Sequence, residues 1–338
     1  MRYNRLGNTG LLVSELCLGA MTFGGGGVWD AIGQLGQPEV DRLVGRALEA
    51  GINFFDTANV YSMGESEKLL GQALRERRHE VIIASKVRSR VGSSPNSVGL
   101  SRGHIMQEVD SSLKRLQTDY IDLYQIHGYD ALTPLEETLR ALDDVVKAGK
   151  VRYIGCSNLS AWQMMKAVGL SQLHDWVRFE TDQAYYSLAG RELEREVVPF
   201  LEDQKLGLLV WSPLAGGFLS GKYRRNQEGP ADSRRTNFDF PPVNREKTYT
   251  IVDVLDEIGK AHDASVARVA LAWLLHQPVV TSVIIGAKKP EQLDDNIEAT
   301  NLKLSQDELK RINAVSAVQP EYPGWMIAWQ SGDRLPQA

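Results

Sequence analysis

Four side chains stand where ordinary packing has little use for them. Asp56 closes the apolar run 52–55 in the segment FFDTANVYSMGESE, and Tyr61 follows it by five residues. Lys86 directly follows the run 81–85, and an ammonium at the end of a buried strand needs an anion. Asp56 is the carboxylate available from the neighbouring strand. His127 closes LYQIHG. Taken singly, each has a plain structural role. An aspartate at a strand end is a common turn former, a loop tyrosine packs, and a lone histidine is most often a satisfied core residue. The four together point to chemistry. A tyrosine hydroxyl has a pKa of about 10, too high for easy proton donation and return near neutrality. A nearby ammonium stabilises the phenolate and lowers that value. Asp56 would hold Lys86 and keep it charged, while a neutral His127 would donate a hydrogen bond to a carbonyl. Such a set suits proton transfer to a carbonyl oxygen as hydride reaches its carbon.

These residues meet only if the chain between them folds into elements that bring strand ends together. Short apolar runs at 16–18, 53–55, 81–84, 121–126, 153–156, 180–183, 207–211 and 282–285 read as strands. Segments 38–50, 66–75, 105–116, 135–148, 160–168, 192–204, 249–262 and 266–276 read as helices. Their apolar residues fall three and four apart, as at Leu135, Leu139, Leu142 and Val146. At the start, runs 3–6 and 11–13 flank Gly7-Asn8-Thr9-Gly10, a hairpin signal because glycine and asparagine supply the positive φ of the turn. Strands alternating with helices, without a polar linker between halves, predict one domain over 1–338. Its fold class is α/β, a closed (β/α)8 TIM barrel with the N-terminal hairpin capping the bottom. The rival is a doubly wound open sheet, which wants a Gly-x-Gly-x-x-Gly turn opening a helix. The run Gly24 to Gly27 opens no periodic helix and reads as a loop. Polar groups end six of the strands: Asp56, Ser85-Lys86, His127, Ser157-Asn158, Gln183 and Ser212. Barrel active sites lie at the carboxyl ends of the strands, so these side chains should converge.

Bulk properties narrow the partners. A net charge of -5 leaves no electrostatic footprint for nucleic acid. The run Arg75, Arg77, Arg78, broken by Glu76, reads as a solvated helix end. Cys17 and Cys156 sit in apolar runs and read as small buried hydrophobes, which fits a reducing compartment. The opening MRYNRLGNTG holds no apolar stretch of the signal-peptide kind. Nor does any apolar run approach the roughly 18 residues of a membrane span. A soluble, cytoplasmic protein is expected, with no membrane or nucleic-acid partner. The six histidines are scattered, so no metal site is expected.

The motifs together resemble those of the aldo-keto reductases along nearly the whole chain, from Arg5-Leu6-Gly7 to Asn296. They are LGAMTFGG, FFDTANVY, the strand ending in Lys86, QIHG, GCSN, the strand ending in Gln183, WSPLAGGFLSGKY and IIGAKKPEQLDDN. The resemblance implies that Asp56, Tyr61, Lys86 and His127 form a catalytic tetrad, with Tyr61 as general acid in an NADPH-dependent reduction of aldehydes or ketones. It implies that Ser157, Asn158 and Gln183 bond the nicotinamide carboxamide and that Trp211 stacks on its ring, although an aromatic there also has a plain reading as barrel packing. Thr22 and Asp56 belong to the implied cofactor contacts as well. Ser212, Leu214, Gly216 and Lys222 would line the pyrophosphate, and Gly286, Lys288, Gln292 and Asn296 the adenosine end. Lys288-Lys289 opens a predicted helix, where two cations and a helix N-terminus would meet a 2′-phosphate. That favours NADPH over NADH, although Gln292 stands where strongly NADPH-preferring members often carry arginine.

Substrate recognition should lie in the loops. Trp29, Tyr129, Trp325 and Trp329 fall in expected loops or in a loop-like tail over 318–338, and are candidates for an apolar pocket. Such a pocket would favour aryl aldehydes, ketones or other bulky carbonyls. The segment 223–244 carries Arg224-Arg225 and Arg234-Arg235, reads as a long loop, and is expected to fold over bound cofactor. A second reading also follows from the resemblance. Some relatives are channel-associated subunits that hold NADPH with little turnover, but these tend to lack the histidine that His127 supplies here.

Overall fold

The computed structural model describes residues 1–225, 229, 235 and 238–332. Two short strands, β1 (Tyr3–Arg5) and β2 (Leu12–Ser14), pair antiparallel as the opening hairpin. The strands β3 (Leu16–Gly19), β4 (Phe54–Asp56), β5 (Ile82–Val87), β6 (Ile121–Ile126), β7 (Val151–Ser157), β8 (Phe179–Tyr185), β9 (Gly207–Trp211) and β10 (Val280–Ile285) follow. Each of these eight is parallel to its neighbours, and β10 closes the ring by pairing with both β9 and β3. The expected (β/α)8 barrel is therefore the fold.

Around it run α1 (Gln37–Glu49), α2 (Glu65–Leu74), α3 (Arg102–Leu116), α4 (Leu135–Lys147), α5 (Ala161–His174), α6 (Val197–Gln204), α7 (Arg245–Ala261), α8 (Val266–Leu275), α9 (Pro290–Ile297), α10 (Gln306–Ser316) and α11 (Gly324–Ser331). Side-chain caps set where several begin. Ser101, Asn244 and Ser265 each accept a backbone N–H from the first turn, as short polar residues do at helix starts. None of the described helices is long and apolar enough to cross a membrane.

Strand side chains alternate between faces, so the barrel sorts its apolar residues into two cores. The outer one, between strands and helices, is the larger. The inner one consists of Cys17, Phe54, Ile82, Ala84, Leu123 and Leu209, with Leu6 and Val13 contributed by the hairpin. Those two fully buried residues plug the barrel where the strands begin. Asn4 donates to the Thr281 carbonyl at 2.8 Å and Ser282 to the Ser14 carbonyl at 2.8 Å. Gly7, at φ 55, lies so close that a Cβ would sit 2.0 Å from the Glu180 oxygen. The bottom is capped, as expected.

Three expectations need correction. The segment 192–204 is not one helix: a 3₁₀ turn at Glu192–Glu194 precedes α6. Pro199 explains the restart, since proline lacks the N–H an interior turn needs but fits the first turn of a new helix. The tail beyond 318 is not all loop, because α11 forms within it; residues 333–338 lie outside the described residues. Arg78 is no solvated helix end. Its guanidinium pairs with Asp122 at 2.7 Å and donates to the Tyr120 and Val81 carbonyls, tying β5 to β6.

Candidate active site

Period-two alternation carries the inner core upward into the site. Phe54 leads to Asp56, Ala84 to Lys86, Leu123 to Gln125 and then His127, and Leu209 to Trp211. The expected catalytic residues are thus the top layer of the barrel filling. Lys86 is fully buried, and its ammonium bonds Asp56 Oδ1, donates to the Thr57 carbonyl at 2.9 Å and reaches the Tyr61 hydroxyl at 3.4 Å. The other oxygen of Asp56 accepts from Gln183 at 2.8 Å and Gln125 at 3.2 Å. Gly155 on β7 leaves room for this arrangement, since a Cβ there would press Thr181 at 2.4 Å and Gln125 at 3.2 Å. Deleting one partner of such a buried pair costs about 3–5 kcal/mol, because the other charge stays behind unpaired. Burial pulls the Lys86 ammonium toward its neutral form. Asp56 and Tyr61 outweigh it and hold its pKa above the ordinary value.

Tyr61 sits between two rings, edge-on to His127 at 5.8 Å and to Trp29 at 5.5 Å. Burial, then the charges of Lys86 and Arg88, push the His127 imidazole down to about 3, so it is neutral through the physiological range. Its Nδ1 is buried without a partner among the described residues, while the ring as a whole is half-buried. The edge bearing Nε2 is therefore the one that faces the opening.

The loop holding Tyr61 is fixed from outside the barrel. Ser62 and Met63 take left-handed backbone at φ 47 and 55, and Ser62 donates to the Phe23 carbonyl at 2.9 Å. Asn59, between Asp56 and Tyr61, donates from its backbone to the Lys86 carbonyl at 3.2 Å and from its side chain to Glu108 at 2.9 Å. Arg115 joins Glu108 to Glu67, and Glu67 accepts from Ser85, the residue before Lys86. This chain of α2 and α3 side chains thus ties the two backbone segments that carry the tetrad.

The residues expected at the nicotinamide end also come together. Ser157 donates to the Gln183 carbonyl at 2.7 Å, and Asn158 donates to Ser157 and to the His127 carbonyl. Trp211 donates its indole N–H to Asn158 at 3.1 Å, and its ring lies near Tyr185 and parallel to Phe240. The amide nitrogen of Gln183 is turned inward to Asp56, and its oxygen accepts from none of the described residues.

After β9, Ser212, Ala215, Gly216 and Gly217 all have positive φ. Such a backbone turns successive N–H groups to one side, as an anion cradle does. Ser212 holds the Gly216 N–H at 3.0 Å, the turn at Leu214 opens the motif, and the Lys222 ammonium lies over Gly217. Beyond β10, Lys288 donates its N–H to Gln292, Asn296 reaches the Gly286 carbonyl, and Thr22 donates to the Ala287 carbonyl at 3.1 Å. These donors, cations and tight backbone turns fit a dinucleotide with its phosphates.

Of the expected pocket residues, Trp29 reaches the site and the Tyr129 carbonyl lies beside it. Trp325 and Trp329 are exposed on α11. In the segment 223–244, residues 226–228, 230–234, 236 and 237 lie outside the described residues. Its described part is anchored by Arg235, which donates to the Ala215 and Pro241 carbonyls. Sequence reading missed Gln125 and Asn59. Gln125 was within reach, because it stands two residues before His127, which directly follows β6, and so shares its face.

A family model described as the aldo/keto reductase family matches residues 15–317. An uncharacterized oxidoreductase, YrpG, from Bacillus subtilis is 38% identical over 93% of this chain and 96% of its own length. Versiconal hemiacetal acetate reductase from Aspergillus parasiticus is 34% identical over 96% of this chain and 99% of its own. A probable voltage-gated potassium channel subunit beta from Oryza sativa is 38% identical over 95% and 98%.

Proposed function

The chain belongs to the aldo/keto reductase family and is an oxidoreductase, and from that premise we propose that it reduces aldehydes or ketones to alcohols with NADPH, Tyr61 acting as general acid. One observation carries this reading above the others: the fully buried Lys86, paired with Asp56, reaches the Tyr61 hydroxyl. NADPH, when bound, supplies the hydride. Lys86 steadies the charge left on the Tyr61 oxygen as its proton passes to the substrate oxygen. Asp56, gripped by Gln183 and Gln125, keeps Lys86 in place. Neutral His127 donates to the same substrate oxygen and orients it. Trp29 covers one side of Tyr61 and excludes water.

Ser157, Asn158 and Gln183 would hold the carboxamide, and Trp211 would lie against the ring. Ser212, Leu214, Gly216 and Lys222 would take the pyrophosphate, with Gly286, Gln292, Asn296 and Thr22 around the adenosine. Lys288 and Lys289 would meet a 2′-phosphate, which favours NADPH. The segment 223–244 would close over it. Trp29 suits an aromatic or bulky carbonyl. Both cysteines are buried and unpaired, which suits the cytoplasm.

The test is loss of NADPH absorbance with an activated aromatic aldehyde. Wild type should turn over, and Tyr61→Phe should lose about 10³-fold or more while still binding NADPH. The rice relative's name favours a second reading, an NADPH-holding channel subunit with little turnover. Binding of NADPH without turnover across varied aldehydes and ketones would select it.

A further inference from the structure

Arg88 is the charge at the mouth that the tetrad does not use. It continues the inner-face series Ile82, Ala84, Lys86 by one more step, just past the end of β5. Its backbone lies at φ 145, a region that side-chain-bearing residues rarely adopt, and strained positions of that kind gather at binding sites. Two hydrogen bonds brace the segment: the Gly99 N–H donates to the Arg88 carbonyl at 2.8 Å, and the His127 N–H to the Val87 carbonyl at 2.9 Å.

The guanidinium lies across Gly128 and Tyr129, directly after His127. Its Nε donates to the Tyr129 carbonyl at 3.3 Å, and its terminal nitrogens bond none of the described residues. The nearby carboxylate, Asp130, is turned into its own loop. It accepts from Thr133 at 2.7 Å and from the Leu100 and Leu132 N–H groups, and it makes no ion pair with Arg88. Lys86 is neutralised by Asp56, and Asp130 offsets Arg88 only across a gap too wide for an ion pair, which leaves the Arg88 terminal N–H groups for a ligand.

Topology separates this cation from the cofactor's phosphates. In the ring of strands, β5 lies four places from β9, across the barrel from the turn that carries Lys222. Arg88 therefore faces whatever approaches Tyr61 and His127 from the substrate side.

We propose that Arg88 anchors an anionic group, a carboxylate above all, on the carbonyl substrate. The reductase would then select aldehydes or ketones that carry such a group. The planar fork of arginine suits a carboxylate with two parallel hydrogen bonds. Trp29, edge-on to Tyr61 at 5.5 Å, offers an aromatic substrate body a ring to pack against. This inference rests on the reductase reading above.

The experiment compares 4-carboxybenzaldehyde with its methyl ester, which has nearly the same shape and no charge, as substrates for wild type, Arg88→Met and Arg88→Lys. Wild type should prefer the carboxylate by about tenfold or more in kcat/KM at low salt. Arg88→Met should lose about 10- to 100-fold on the carboxylate, through KM, and stay within about twofold on the ester. Arg88→Lys should keep part of the preference. Equal losses on both substrates, or no preference in wild type, overturn the anchor. If Tyr61-dependent turnover of the ester persists in that case, the reductase reading survives alone. If no substrate turns over, calorimetry of benzoate with NADPH-loaded protein decides: binding lost in Arg88→Met supports the anchor, and absence of binding to wild type overturns it.

Discussion

The two ends of the site are built by different means. Around Tyr61, the proposed proton donor, side chains rise mainly from inside strands and lock one another: Lys86 on Asp56, Asp56 under Gln183 and Gln125, with Asn59 bracing the Tyr61 loop against Glu108 of α3. At the end proposed for the cofactor the chain offers mainly backbone, in turns where Ser212, Ala215, Gly216 and Gly217 take left-handed conformations after β9. Gly216 is pressed so closely by the Phe240 carbonyl that a Cβ would sit 2.4 Å from it. Proton transfer demands fixed distances, which rigid strands supply. A dinucleotide that must come and go, as proposed here, would be better held by loop N–H groups and long cations.

The sharpest way to break that contrast is to remove one cation from each end. Lys86→Met should lower kcat by about 10³-fold and leave the NADPH Kd within about threefold. Lys222→Ala should raise that Kd by about tenfold and leave kcat at saturating NADPH within a few-fold, because a phosphate contact is made equally in ground and transition states. If both variants change the same parameter, the two ends are not separable.

A subtler probe is Asn59→Ala, which cuts the strut to Glu108 without touching the tetrad. It should lower kcat by roughly tenfold at unchanged NADPH affinity. The isotope effect with NADPH deuterated at the transferred position should grow as chemistry becomes slower. An unchanged isotope effect with only a lower melting temperature would reduce Asn59 to scaffolding.

The smallest expected effect concerns a charge that the interlocking leaves out. Asp182 lies beside Gln183 but on the outer face of β8, buried; among the described residues the Cys156 thiol donates to its Oδ1 and Oδ2 has no partner. Burial pushes its pKa from an ordinary 3.8 up to about 7. Between those values the folded state holds a proton that the unfolded chain releases, so stability falls as pH rises through that window. Asp182→Asn should therefore raise the melting temperature more at pH 8 than at pH 5. An equal shift at both would show that the carboxyl is not the cause.

The strand ends, the hairpin and the meeting of Asp56, Lys86, Tyr61 and His127 were legible because their signals are local: apolar runs of strand length closed by polar groups. What escaped was tertiary. Arg78 sits in a charge run that looks solvated, yet the turn after α2 points it at Asp122. The tail read as loop, but Trp325 and Trp329 lie on a helix whose course no local pattern fixes. Helix α10 was readable and passed over: Ser305 and Glu308 form a reciprocal capping box at its start. Arg88 gave no sequence signal, since its strained backbone appears only once β5 and its loop are folded.

The hairpin has a kinetic consequence. Leu6 and Val13 stopper one end of the barrel, so under the proposed function both guests would use the opposite mouth. If one berth lies deeper, its occupant would arrive before its companion and depart after it, and product-inhibition kinetics should show that queue.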